Sequence, residues 1–214
     1  MRELTFTLVS DGSSDRALLP ILTWLLRQHL DDVAINPQWA DFRHLLEPPR
    51  KLDARLRAVW KMYPCQLLFI HRDAERETHE KRTSEILEAI AAVGGGASPA
   101  IGVIPVRMQE AWLLHDEQAL REAAGNRAGT MPLKLPPLRT VEQIPDPKQT
   151  LYGLLKEASG LSGRKLHNFR PQTGACRIAE FIDDFSSLRQ LSAFQVLERE
   201  IVNWSQTHFI DATA

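Results

Sequence analysis

The sequence predicts an α/β protein in which a mostly parallel, Rossmann-like sheet of about four strands is flanked by helices and followed by a small α-helical C-terminal lobe. Three observations lead there. Short apolar runs of strand length alternate with helix-period segments through roughly the first 125 residues. A proline-rich stretch then interrupts the alternation, and beyond it only helical patterns remain. The implied organisation is an α/β domain over residues 1–125, a Pro-rich connection over 126–150 and a helical lobe over 151–214.

Each element has a local cause. Strands are expected at Leu4 to Ser10, Val33 to Trp39, Cys65 to His71 and Ala100 to Val106. Runs such as CQLLFI and AIGVIPV have no polar alternation and suit strands buried on both faces. The first helix follows SDGSSDR, with Ser13 or Ser14 as cap, and its Leu18, Leu19, Leu22, Leu25 and Leu26 recur at helical spacing. The second spans about Leu52 to Met62, with Leu52, Leu56, Val59 and Trp60 on one face. The third runs from about Glu77 to Ala92, and the glycines Gly94 to Gly96 stop it. Pro132, Pro136, Pro137, Pro145 and Pro147 forbid a continuous helix between Thr130 and Pro147. After them DPKQTLYGLLKEAS, ACRIAEFIDDF and SAFQVLEREIVNW read as three helices.

Composition removes several classes of protein. The 214 residues, 43% of them hydrophobic, can bury one sizeable core, and a formal net charge of -1 argues against a general polyanion-coating protein. Cys65 and Cys176 lie far apart and belong to no Cys-x-x-Cys pair, so reduced buried thiols are expected rather than a zinc module or disulfide framework. The N-terminus MRELTFTLVSDG enters a strand at once and lacks the pattern of a signal peptide, and LLPILTWLL is too short to span a bilayer. A cytoplasmic protein with no membrane partner is the expectation.

Acidic clusters stand where apolar runs end: Asp11 with Asp15 in SDGSSDR, Asp73 with Glu75 in HRDAERE, and Glu110 in VRMQEAW. In an open α/β sheet, residues just past the carboxyl ends of the strands share one crevice, so distant carboxylates can meet there. Like charges gathered that closely need a cation or raised pKa values, and Mg²⁺ or Mn²⁺ suits oxygen donors. The same residues also make good helix starts, because DGSSDR offers a tight turn and a cap, and Asp15 and Glu110 lie at helix N-termini where acids are favoured. His71, Arg72 and Asp73 spell the kinase catalytic-loop triplet, but Thr78 stands where Asn is required and no glycine-rich phosphate loop precedes it.

The pieces DGSSDR and HRDAE, in that order after the first and third strands, resemble the TOPRIM fold of topoisomerases, primases and OLD-family nucleases. The stretches IPVRMQEAWLLHD and DPK are similar to small TOPRIM-related proteins found in bacterial defence or mobile loci. Asp11 stands where the family usually has Glu, and Glu75 replaces the second Asp of its paired acids. The resemblance implies a metal-dependent nuclease in which Asp11, Asp73 and Glu75 hold one or two Mg²⁺ or Mn²⁺ ions. Asp15 then orients that set or binds through water, and Glu110 serves as outer ligand or base. It also implies a nearby Lys148 and the company of an ATPase, since the chain has no nucleotide loop of its own. The alternative it leaves open is a non-catalytic regulatory subunit. The acid-free stretch from Gly160 to Ala179 carries Arg164, Lys165, Arg170 and Arg177, a candidate phosphate-contacting surface on DNA or RNA or an ordinary solvated face.

Overall fold

The computed structural model describes residues 2–95 and 98–210, with residues 209 and 210 described as backbone only. Four strands, β1 (Arg2–Val9), β2 (Val33–Trp39), β3 (Leu67–His71) and β4 (Ala100–Val103), form one sheet in the order β2-β1-β3-β4. All three pairings are parallel, with Leu4 opposite Ile35, Leu8 opposite Phe69 and His71 opposite Val103. The central β3 is buried along its whole length, as its unbroken apolar run requires, whereas Pro37, which cannot donate to a ladder, falls on the edge strand β2.

Two cores occupy the two faces of the sheet. Leu4, Phe6, Leu8, Leu67, Phe69 and Val103 pack on one side with α1 (Leu18–Arg27), and Phe6 meets Phe69 edge to face at 5.3 Å. Val9, Leu68 and Ile70 pack on the other with Leu56 and Val59 of α2 (Leu52–Met62) and Ile86 and Ala89 of α3 (His79–Ala92). The first crossover therefore lies on the opposite face from the next two, and the winding reverses at β1. In a doubly wound sheet the crevice at that reversal, past the carboxyl ends of β1 and β3, is where ligands are received.

The rest of the chain is helical: α4 (Glu117–Ala123), α5 (Pro147–Ala158), α6 (Gly163–Asn168), α7 (Pro171–Ala175) and α8 (Ser192–Ser205). Their buried side chains, among them Leu151, Leu155, Phe194, Leu197 and Ile201, join the same core as β1 and α1. Fully buried Trp112, in the 3-10 turn Gln109–Leu113, packs edge to face on Phe194 at 5.4 Å and ties α8 to the sheet. No helix among the described residues is long and apolar enough to cross a membrane.

Local departures from the sequence pattern have physical causes. ACRIAEFIDDF does not form one helix; α7 ends at Ala175 and a 3-10 turn covers only Ile178–Phe181. Asp184 accepts hydrogen bonds from the Ser186 backbone at 2.8 Å and its hydroxyl at 2.7 Å, a local turn that competes with helix. Gly174 is packed so closely on α4 that an added Cβ would lie 2.8 Å from the Ala123 carbonyl oxygen. The first helix is opened by a 3-10 turn, Ser13–Ala17, capped at Gly12 rather than by a serine hydroxyl. β4 stops at Val103, three residues early, because Pro105 lacks an N–H, yet Ala74 N–H still donates to the Pro105 carbonyl at 3.0 Å. Gly94 and Gly95 follow α3 with φ of +80° and +81°, while Gly96, the third glycine of the expected stop, lies outside the described residues. Cys65 and Cys176 are free thiols and are half-buried rather than buried.

Candidate functional site

The carboxyl ends of β1 and β3 deliver Asp11, Asp15 and Asp73 to the crevice at the winding reversal, and the turn after β4 delivers Glu110. Asp15 is buried, and its Oδ2 accepts from the Gly12 N–H at 2.8 Å while Oδ1 accepts from the Ser14 hydroxyl at 3.2 Å. The acid thus reaches back to the N-terminal turn of its own helix, half of a capping box, and is fixed there.

Asp73 is held by the loops after β3 and β4, which continue the strand pairing through Arg72 N–H to the Val103 carbonyl at 3.1 Å and Glu75 N–H to the Arg107 carbonyl at 2.8 Å. Glu75 and Arg107 both adopt left-handed backbone, φ +55° and +68°, a conformation that costs free energy in residues with a Cβ and collects at functional loops. Asp73 Oδ1 accepts from the Gln109 N–H at 2.9 Å and lies 3.4 Å from His71 Nε2. His71 Nδ1 is 3.0 Å from the Val103 carbonyl, which can only accept, so Nδ1 carries a proton and Nε2 faces the carboxylate. Burial, with Glu110 and Asp15 as neighbouring negative charges, pushes the Asp73 carboxyl up to about 6, against the opposing pull of His71 and the Gln109 hydrogen bond.

Glu110 is almost fully buried, and Lys148 Nζ stands 3.5 Å from its Oε1. Asp146 caps α5 by accepting from the Gln149 N–H at 2.8 Å, Pro147 takes the first helical position, and Lys148 is thereby presented to the site. Burial opposes the lysine's charge, but Glu110 outweighs it and holds Lys148 above its ordinary value. Burial and the same glutamate raise the Tyr152 hydroxyl and the Cys176 thiol.

Asp15, Asp73 and Glu110 are therefore brought together, and the other two acids face arginines. Asp11 is gripped by Arg55 Nη1 and lies 3.3 Å from Arg72 Nη1, while Arg55 also donates to the Ser10 carbonyl at 2.8 Å. Glu75 lies 3.8 Å from Arg82 Nη2, and Arg82 donates to the Asp73 carbonyl at 3.0 Å and to Glu85 at 2.9 Å. Of the basic residues singled out in the sequence, Lys148 is in the site. Arg164 and Lys165 lie on α6, which has no buried residue, and Arg170 and Arg177 are exposed beside α7. A cleft of about 590 Å³ near α5 and α6, lined by Tyr152, Lys156, His167 and Arg170, lies beside Lys148.

His71, read in the sequence only as part of a kinase-like triplet, and Cys176, read only as a reduced thiol, join the site, as do Gln109 and Tyr152. A titratable residue closing the buried run LLFI was a usable signal for His71, and none marked the others.

The chemistry of the donor set bears on Mg²⁺ or Mn²⁺ in two ways. Glu110 and Asp15 add to the effect of burial in raising the proton affinity of Asp73, the buried Gln109 Oε1 has no hydrogen-bond partner among the described residues, and every candidate donor is oxygen, as hard cations require. Among the described residues no three His, Cys, Asp or Glu side chains stand close enough to hold an ion as they are, and Lys148 supplies the cation beside Glu110. The donors fit in kind, and binding requires their side chains to draw together.

One expected outcome follows directly. An acid with a raised folded-state pKa favours the fold below its unfolded value, near 3.8, and that contribution is lost as pH rises through about 6. Asp73→Asn removes this loss, of order 3 kcal/mol, so in chelator the variant should melt about 9 °C above wild type at about pH 8 and at the same temperature as wild type at about pH 3. Identical melting curves at both pH values would show that Asp73 titrates as an exposed carboxyl.

Fold and site together define a doubly wound α/β protein with an acidic crevice at its switch point. Compared with protein-family models, curated proteins and solved structures, the chain finds no match.

Proposed function

We propose that this chain is a TOPRIM-type, divalent-metal-dependent phosphodiesterase that hydrolyses nucleic acid, working in the cytoplasm and belonging to a defence system. The observation that carries the reading is the convergence of Asp15, Asp73 and Glu110 at the switch point, with the Asp73 carboxyl held near 6 by that company. A bound Mg²⁺ or Mn²⁺ would polarise the phosphate and lower the pKa of an attacking water. Asp15, Asp73 and Glu110 would hold the ion, with Gln109 N–H fixing one Asp73 oxygen. His71 Nε2, 3.4 Å from Asp73 Oδ1, faces and orients that carboxyl. Lys148 neutralises Glu110 in the free protein and is placed to turn to a phosphate oxygen. Asp11 and Glu75 organise Arg55, Arg72 and Arg82 around the crevice.

A second reading is favoured by the pairing of Asp11 with two arginines and of Glu110 with Lys148: a self-neutralised pocket in a non-catalytic subunit that serves an ATPase. Incubation of the purified chain with single- and double-stranded DNA and RNA, in Mg²⁺, Mn²⁺ or chelator, separates the two. The enzyme reading expects cleavage that requires the divalent ion and rises with pH through about 6, as Asp73 ionises. Intact substrate throughout, with and without an added partner ATPase, would leave the regulatory reading.

A further inference from the structure

A second basic cleft adjoins the acidic crevice from the β1 side. Its volume is about 340 Å³, and Ser13, Arg16, Arg43, Cys176, Arg177 and Glu180 are among its lining residues. Arg16 and Arg43 both stack on one ring, with their guanidinium carbons 5.6 and 5.1 Å from the centroid of Trp39. Trp39 is itself pinned to the end of β1 by its Nε1–H donating to the Ser10 hydroxyl at 3.1 Å. Arg43 is engaged by Asp41, with Nε at 2.8 Å and Nη2 at 2.7 Å, and Arg177 lies 3.4 Å from Glu180. Arg16 has no carboxylate partner among the described residues. Three guanidiniums thus face two carboxylates, leaving one net positive charge, and two of the three are held against a single ring.

The cleft lies close to the acidic site. Cys176 lines the cleft, and its thiol is within electrostatic reach of Arg16 on one side and of Glu110, Lys148 and Asp15 on the other. A phosphodiester chain passing the carboxylates would place a neighbouring phosphate among these arginines, whose planar forks suit phosphate oxygens. A volume at the low end of small-ligand sites admits one nucleotide and excludes the width of a duplex.

Resting on the nuclease reading, we propose that the cleft of Arg16, Arg43 and Arg177 seats the nucleotide adjacent to the reacting phosphate, which makes a single strand of nucleic acid the substrate. Lys156, His167 and Arg170 border the other side of the site, so the strand has basic ground on both sides of the carboxylates.

Binding of fluorescent oligonucleotides, oligo-dT and oligo-U of about 15 residues, is followed by anisotropy in chelator over a range of salt. Wild type is expected to bind both single strands and to prefer them to duplex. Arg16→Gln with Arg177→Gln should weaken binding about tenfold at low salt and make the log–log salt slope shallower by about 1.4, from two lost single-strand phosphate contacts. Arg16→Lys with Arg177→Lys should keep the slope. In unmutated protein, bound oligonucleotide should slow alkylation of Cys176 and leave Cys65, at the amino end of β3, unaffected, a readout independent of how the variants fold. Unchanged affinity and slope in the glutamine variant, no binding of single strands, or an unprotected Cys176 would overturn the proposal. Metal-dependent cleavage together with any of those results discards the cleft and keeps the nuclease. Arginine-dependent binding without cleavage keeps the cleft and discards the nuclease.

Discussion

Asp73→Asn is expected to lower divalent-dependent cleavage of oligonucleotides by about a thousandfold or more while the chain stays folded. Asparagine keeps an oxygen to accept the Gln109 N–H, which donates to Asp73 Oδ1 at 2.9 Å, so the loops after β3 and β4 retain their tie. It removes the negative charge that a cation needs, and it removes a carboxyl that burial and its acidic neighbours already make reluctant to ionise. Activity and stability therefore move in opposite directions, which a merely structural role for Asp73 would not produce. Cleavage retained in a variant that melts higher would place the reacting centre away from Asp73.

The second large effect is structural and falls on the turn that carries Glu110. Trp112→Ala should cost about 3–5 kcal/mol, seen as a lower urea midpoint with an unchanged slope. Trp112 is fully buried against Phe194 of α8 and stands two positions after Glu110, whose partner Lys148 lies on α5. Trp112→Phe should cost less, because the indole Nε1 has no hydrogen-bond partner among the described residues and its loss leaves nothing unpaired. A loss under about 1 kcal/mol for the alanine variant would mean that α8 does not depend on this contact.

The sheet was legible because its strands are short apolar runs closed by polar turns, and LLFI in particular reads as a buried strand and is covered on both faces. The helix Leu52–Met62 was equally legible, since Leu56 and Val59 recur at helical spacing. The segment Ala175 to Phe185 was not: its apolar residues are spaced as in a helix, but a side-chain turn at Asp184 and the close approach of Gly174 to α4 decide the path. At the site, position after a strand was readable, and direction was not. Asp11 and Asp15 stand four residues apart, yet one meets Arg55 and Arg72, which come from distant stretches, and the other turns back to Gly12. The convergence of Arg16 and Arg43 on Trp39 depends likewise on tertiary placement.

Titration of the wild-type chain with Mn²⁺, followed by the loss of the free-ion electron paramagnetic resonance signal at about pH 7.5, tests the acidic crevice most directly. One or two bound ions per chain, lost in Asp73→Asn and released as the pH falls below about 6, is the predicted result. A full free-ion signal at millimolar protein, or equal binding by the asparagine variant, would contradict a metal site at Asp15, Asp73 and Glu110.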